Sequence, residues 1–342
     1  MVLLPARRSL PRHVTRTLGR STGATNRFIS ICCVPQWVPS GIKFAHVALY
    51  YAVTRTYEIF GNGRHVGTVL DDFSMEMTGK DVAKVENAAS VIPPGTRINV
   101  TFLDNEDLTM RVNAAAAAKH LGFTPVPHIS ARRITSAEML EEFLGALRDV
   151  GAAENVLVIG GDPTSPLGPY EESLAVIESG LLQEYGVKHV SMGGHPSGDP
   201  NIPADVAWSA LEKKSAALAR LQLPGTIITQ VDFDVDRVLQ WVAEVREHGI
   251  EVPIRVGAPG PASVKLLLGF ASRLGISTST TIAKKYGLSV TNLLSKAGPD
   301  RFIRDLQAGL DPGKHGVVKL HFYTFGGFKT TADWIANFEQ EF

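Results

Sequence analysis

The chain has 342 residues, 44% of them hydrophobic and 20% charged, with basic and acidic side chains in equal number. This is an ordinary globular composition with ample material for a core. The balanced charge leaves no overall electrostatic footprint for nucleic acid, and no apolar stretch approaches the ~20 residues of a membrane-spanning helix.

Charge is unevenly placed at the start. No acidic residue precedes Glu58, whereas eight Lys or Arg do, so the remainder carries a net charge of minus eight. An Arg-rich, acid-free start with Ser and Thr looks like an organelle transit peptide. An unstructured extension, or a start codon placed too far upstream, gives the same pattern. Hydrophobic periodicity is poor there, so residues 1–70 are expected to be a poorly ordered extension and 71–342 the catalytic domain. Cys32 and Cys33 are adjacent, which suits neither a loop-closing disulfide nor a zinc knuckle. A reducing, cytoplasmic setting fits this usage.

From Phe73 onward, strand-like runs alternate with helical patterns. The expected strands are Phe73–Thr78, Arg97–Phe102, Pro125–Ser130, Val156–Gly160, His189–Gly193, Thr226–Val231, Pro253–Gly257 and Val317–Thr324. Eight strands each followed by a helix imply an α/β fold of the closed (β/α)8 TIM barrel type. Extra helices are expected between the seventh and eighth strands, where the interval is longest. A doubly wound open sheet is the rival, but no G-x-G-x-x-G turn supports it.

The helices have their own punctuation. Thr135 and Glu138 fit a capping box ahead of Met139, Leu140, Phe143, Leu144 and Leu147. Pro169-Tyr170-Glu171 is expected to open the next helix, burying Leu174, Ile177, Leu181 and Leu182. Gly122, Gly151, Gly186 and Gly249 each follow a helical run, where a left-handed residue is expected.

In a barrel, the C-terminal strand ends face the active site. Those ends supply Glu76, Thr101 with Phe102, His128, Asp162, His195, Gln230, the Gly257–Pro261 turn and Tyr323. Glu76 lies between two methionines, and apolar shielding favours the neutral, proton-donating form of a carboxyl group. A solvent-facing strand glutamate is the plainer alternative. His128 suits a cofactor phosphate or ring edge, or a hydrogen-bonded structural role. Asp162 follows Gly160-Gly161, where the backbone offers a ligand close approach, although Asp before Pro163 is also an ordinary turn. Gln230 carries an amide that both donates and accepts, as a heterocycle edge requires. Lys213 and Lys214 could meet a phosphate or be solvated. No H-E-x-x-H, G-x-S-x-G or Walker loop occurs, so no metal site is expected.

Together, Glu76 in the first strand, Pro127-His128-Ile129-Ser130, Gly161-Asp162, the loop Gly194-His195-Pro196-Ser197-Gly198-Asp199-Pro200, Ile228-Thr229-Gln230 and Phe322-Tyr323-Thr324 resemble methylenetetrahydrofolate reductase. The resemblance runs from about residue 71 onward and identifies the chain as a divergent member. It implies a barrel with FAD at its C-terminal face. A reduced nicotinamide, NADH or NADPH, would reduce the flavin, and the flavin would reduce 5,10-methylenetetrahydrofolate to 5-methyltetrahydrofolate in one-carbon and methionine metabolism. By position, Glu76 would be the general acid, Asp162 would tune the site, and Gln230 would bind the pterin and the nicotinamide in turn. Thr101, Phe102, His128, Gly161, Asp162, Tyr170, His195, Asp199, and Lys213 or Lys214 would line the flavin site. The fifth-strand loop departs from the family's G-Y-P-E-G-H-P, with His195 for Tyr, Ser197 for Glu and Asp199 for His. Phe102 replaces a common Tyr, and Val231-Asp232-Phe233 follows Gln230 where Phe-Phe is usual. These departures raise a direct hydride transfer from NADH to the pterin. The site chemistry equally suits an enzyme recycling methyltetrahydrofolate in a catabolic demethylation pathway, and a folate- or flavin-binding barrel without turnover stays open. The expected partner is a small-molecule folate, with no nucleic acid or membrane. The oligomeric state is left open, a homo-oligomer included.

Overall fold

The computed structural model describes residues 67–273 and 296–341. The basic N-terminal segment, both cysteines and much of the expected insertion lie outside the described residues.

Strand and helix alternate in chain order. β1 (Ser74–Met77) is followed by α1 (Val82–Glu86), β2 (Arg97–Val100) by α2 (Leu108–His120), and β3 (Thr124–Ser130) by α3 (Ala137–Asp149). β4 (Asn155–Ile159) is followed by two short helices, α4 (Ser173–Ile177) and α5 (Leu181–Glu184). β5 (His189–Gly194) precedes α6 (Ala204–Arg220), and β6 (Gly225–Val231) precedes α7 (Val235–Glu247). After β7 (Ile254–Pro259) come β8 (Ala262–Ser263), α8 (Val264–Arg273), β9 (Lys296–Ala297), α9 (Asp300–Gly309) and α10 (Pro312–His315). β10 (Val318–Tyr323) and α11 (Phe328–Phe338) follow. β8 and β9 form a small antiparallel ribbon. The other eight strands close into one barrel in the order β1-β10-β7-β6-β5-β4-β3-β2, and the pairings of β10 with both β1 and β7 are parallel. The (β/α)8 barrel and its added helices before the last strand are as expected.

Strand alternation decides which side chains line the barrel. On the outer face, Met75, Met77, Ile98, Val100, Ile129, Val156, Val158, Val190 and Leu320 are buried with the helices in the main core. Each such burial contributes roughly 1.5–3 kcal/mol. The alternate residues point inward and are far more polar. A small separate cluster of Val126, Leu157 and Ile228, with Ile159 against it, is the apolar part of the interior.

Below these residues, at the N-terminal end of the strands, lies a paired ionic floor. Asp72, just before β1, has φ of 58°, a left-handed conformation costly for a non-glycine residue. Its carboxylate meets Arg97 at 2.5 Å and Arg255 at 2.6 Å, and its carbonyl accepts a second Arg255 bond. His189 Nε2 lies 2.8 Å from Thr226 Oγ1. Lys319 donates to the Thr68 carbonyl at 2.9 Å.

Two local expectations need correction. The cap of α3 is Ser136, whose hydroxyl accepts from Met139 N at 3.2 Å. Thr135 instead turns its hydroxyl to Met139 sulfur. The helix expected from Pro169 begins at Ser173 and ends at Ile177, and Gly180, with φ of 83°, stands at the start of the next. Ile177 and Leu182 are fully buried there, whereas Leu174 and Leu181 are half-buried. Gly122, Gly151, Gly186 and Gly249 all have positive φ, as expected.

Candidate active site

The inner face of the first and last barrel strands brings Ser74, Glu76, His321 and Tyr323 together. Met75 and Met77 take the outer face, which leaves Ser74 and Glu76 facing in. The Glu76 carboxylate is partly exposed and reaches His321 Nε2 at 3.5 Å. The Thr324 hydroxyl donates to the Glu76 carbonyl at 2.8 Å and ties β1 to the end of β10. The Tyr323 hydroxyl donates to the Thr229 carbonyl at 3.0 Å, and burial, then the nearby Glu76, holds that phenol well above its ordinary range.

Next to this group, on β2, just past its end and on β3, a row of buried polar atoms lacks protein partners. It comprises both amide atoms of Asn99, Thr101 Oγ1, His128 Nε2 and Ser130 Oγ. Asn99 pairs in register with Glu76, so both lie at one level of the barrel. Burial pushes the His128 imidazole down to about 4, against the opposing pull of Glu76. A buried polar atom without a partner is costly, and a row of them marks a place where a ligand or ordered water completes the bonds.

Gln230 sits where β6 is bulged against β7. Bulges re-aim side chains beside active sites. Val231 N donates to Gln230 Oε1 at 3.0 Å, which orients the amide. The Thr229 hydroxyl accepts from Gly257 N at 2.8 Å, replacing a ladder bond that the bulge removes. Gly257 must be glycine, since a Cβ would lie 2.6 Å from the Thr229 carbonyl and 2.8 Å from the Tyr323 ring.

Asp162 stands at the rim after β4, largely exposed. Arg133 holds it in a two-pronged bond, at 2.8 Å to one oxygen and 2.7 Å to the other. That hydrogen bond, with the guanidinium charge, keeps the Asp162 carboxyl below the usual range. Sequence reasoning missed Arg133, although two adjacent arginines after a strand end were a visible signal. Gly161 has φ of 93°, and a Cβ there would sit 2.0 Å from Ser130 Oγ.

The remaining residues form separate groups. Phe102 is buried under the Arg111 guanidinium, 3.5 Å from the ring centre. Tyr170 is buried beside α3, where desolvation and then Glu141 raise its phenol. His195 Nδ1 faces Asp199 at 3.7 Å, and burial lowers its imidazole. Asp199 also accepts from Asn201 N at 2.8 Å within its own turn. The structure separates the lysine pair. Lys213 is exposed, whereas Lys214 is buried and pushed down to about 8 by desolvation, with Glu172 opposing. Two departures from the family pattern also meet. Ser197 donates to Asp232 at 2.6 Å, and Asp232 further accepts from Phe233 N and Asp234 N. Burial raises the Asp232 carboxyl.

The sequence matches the family model described as methylenetetrahydrofolate reductase over residues 82–337. The chain belongs to that family. Methylenetetrahydrofolate reductase 1 of Schizosaccharomyces pombe is 26% identical over 207 residues, covering 55% of this chain and 31% of the yeast protein. The chain thus matches about a third of that relative's length. Among solved structures, an uncharacterized protein from Clostridium thermocellum, described as binding two copies of 5-methyl-5,6,7,8-tetrahydrofolic acid, shares the fold. Its TM-score is 0.54 at 11% identity, covering 79% of this chain and 93% of that one.

Proposed function

We propose that this reductase-family member converts 5,10-methylenetetrahydrofolate to 5-methyltetrahydrofolate at the expense of NADH or NADPH. The observation that carries the reading is the row of buried, unpartnered polar atoms at Asn99, Thr101, His128 and Ser130, beside the Glu76 carboxyl. A flat, polar-edged heterocycle is the ligand class that such a row serves. The folate described in the Clostridium thermocellum protein is of this class.

The residues divide the work. Glu76 donates a proton to N10 of the folate as the bond from N10 to the one-carbon unit breaks. The iminium left at N5 then accepts hydride at its methylene carbon. Gln230, its amide fixed by Val231 N, bonds the pterin edge. Asp162, paired with Arg133, sets the field at the rim. FAD, when bound, supplies the centre that takes hydride from the nicotinamide and passes it on. The unpartnered Thr101 and His128 atoms and the buried Lys214 fit that group, the first two as ring-edge contacts and the lysine as a phosphate contact.

A second reading passes hydride directly from nicotinamide to folate. It is favoured by the fifth-strand loop, where Ser197 and Asp199 are engaged in bonds within the protein. NADH oxidation with and without added FAD, on protein assayed for residual flavin, separates the two. In either case Glu76→Gln is expected to lower folate reduction by about 10²–10⁴-fold. In the flavin route it leaves reduction of FAD by NADH largely intact. Equal loss of both half-reactions would remove Glu76 from the role of folate acid.

A further inference from the structure

Where β1 meets β10, Ser74, His321 and Glu76 form a short chain of contacts. His321 is fully buried, with Nδ1 2.9 Å from Ser74 Oγ and Nε2 3.5 Å from Glu76 Oε2. Ser74 Oγ also lies 3.4 Å from the Leu320 carbonyl, which can only accept. A hydroxyl has a single proton. With that proton directed to Leu320, the oxygen offers His321 only lone pairs, and Nδ1 must carry the imidazole proton. The bond made by one ring nitrogen sets the state of the other. Nε2 is then a bare acceptor facing the Glu76 carboxyl.

We infer that Ser74 and His321 are positioning residues that keep a proton on Glu76, by fixing the imidazole so that its lone pair faces Glu76 Oε2. Two facing acceptors repel, and a proton between them makes the contact favourable. The titratable groups facing His321 are Glu76 on β1, His128 on β3 and Tyr323 on its own strand. Lys319 and Arg255, one layer below, are engaged at the floor. When Glu76 gives its proton to the substrate amine as the carbon–nitrogen bond breaks, it is left as an anion against the Nε2 lone pair. A solvent proton relieves that contact and resets the acid. The use of the proton rests on the folate-reduction reading, but its placement does not.

The test has two arms. In the full chain labelled with ¹⁵N in its imidazoles, the His321 resonance is assigned by its loss in His321→Gln. The expected state at neutral pH is Nδ1 protonated and Nε2 bare, moving toward the Nε2–H form in Ser74→Ala. In the kinetic arm, Ser74→Ala is expected to lose about tenfold in folate-dependent turnover at neutral pH and to regain it as the pH falls, with Ser74→Thr restoring the wild-type profile. An Nε2–H tautomer in the wild type overturns the inference, as does a Ser74→Ala pH profile that coincides with the wild type. The expected tautomer in a chain without folate turnover supports the proton placement and rejects the folate reading.

Discussion

The two ends of the barrel treat buried polar groups in opposite ways. At the floor, Asp72, Arg97, Arg255, His189, Thr226 and Lys319 all have protein partners. At the mouth, Asn99, Thr101, His128 and Ser130 present atoms with none. Both ends are polar and both bury cationic or imidazole side chains, so polarity alone does not distinguish them. Satisfaction does. A paired network fixes a structure, whereas an unpaired one is costly until something binds. This agrees with the general division of such barrels into a stabilising N-terminal face and a reactive C-terminal face.

The comparison can be broken most sharply at Glu76. Glu76→Gln should lower folate reduction by about 10²–10⁴-fold while leaving thermal stability near that of the wild type. A matching loss at a floor residue, measured per folded molecule, would erase the distinction.

Acid should test both ends together. His128 and His189 are each pushed from 6.5 to about 4 in the folded chain, mainly by burial. Their folded state favours the neutral ring, so this stability is present above pH 6.5 and lost as the pH falls toward 4. Each contributes on the order of 3 kcal/mol to that loss. His128→Gln should flatten the slope of unfolding free energy against pH between about 6.5 and 4. An unchanged slope would mean that the mouth histidine takes up its proton without cost.

The floor should respond in stability rather than in chemistry. Asp72→Ala takes the carboxylate away from the buried Arg255 and should cost about 1.5–3 kcal/mol in denaturant unfolding, with turnover per folded molecule unchanged. Asp72→Gly removes the same carboxylate and relieves the left-handed backbone, so it should be the less damaging of the two.

The lysine pair sharpens the picture with the smallest effect. Lys214→Met should weaken binding of FAD or another phosphate-bearing cofactor by about tenfold, whereas Lys213→Met should leave it near unchanged. Because Lys214 loses its charge at about 8, the affinity that it supplies should fall as the pH rises through that value. Equal responses from the two variants would contradict the inward placement of Lys214.

Much of this fold was legible in the chain. Runs such as Val156-Leu157-Val158-Ile159 carry branched side chains on both faces and end in glycine, and the eight expected strands fall on the eight of the barrel. The candidate residues at the strand ends were legible for the same reason, since a barrel sends its strand ends to one face. Their partners were not. Arg133 and Asp162 are 29 residues apart, and His321 and Glu76 are 245 apart. Closure of the barrel makes the second pair neighbours, and no local pattern encodes it. The cap of α3 failed differently, because Thr135 and Ser136 are both good caps and backbone geometry chose between them. Lys213 and Lys214 were inseparable until the rotation of α6 was known.

The most direct measurement is anaerobic NADH oxidation by the purified full chain with 5,10-methylenetetrahydrofolate, in wild type and Glu76→Gln, with the folate product identified. The account predicts that the wild type forms 5-methyltetrahydrofolate in step with NADH consumed and that the variant does not. NADH oxidation without folate product, or equal product from both proteins, would contradict it.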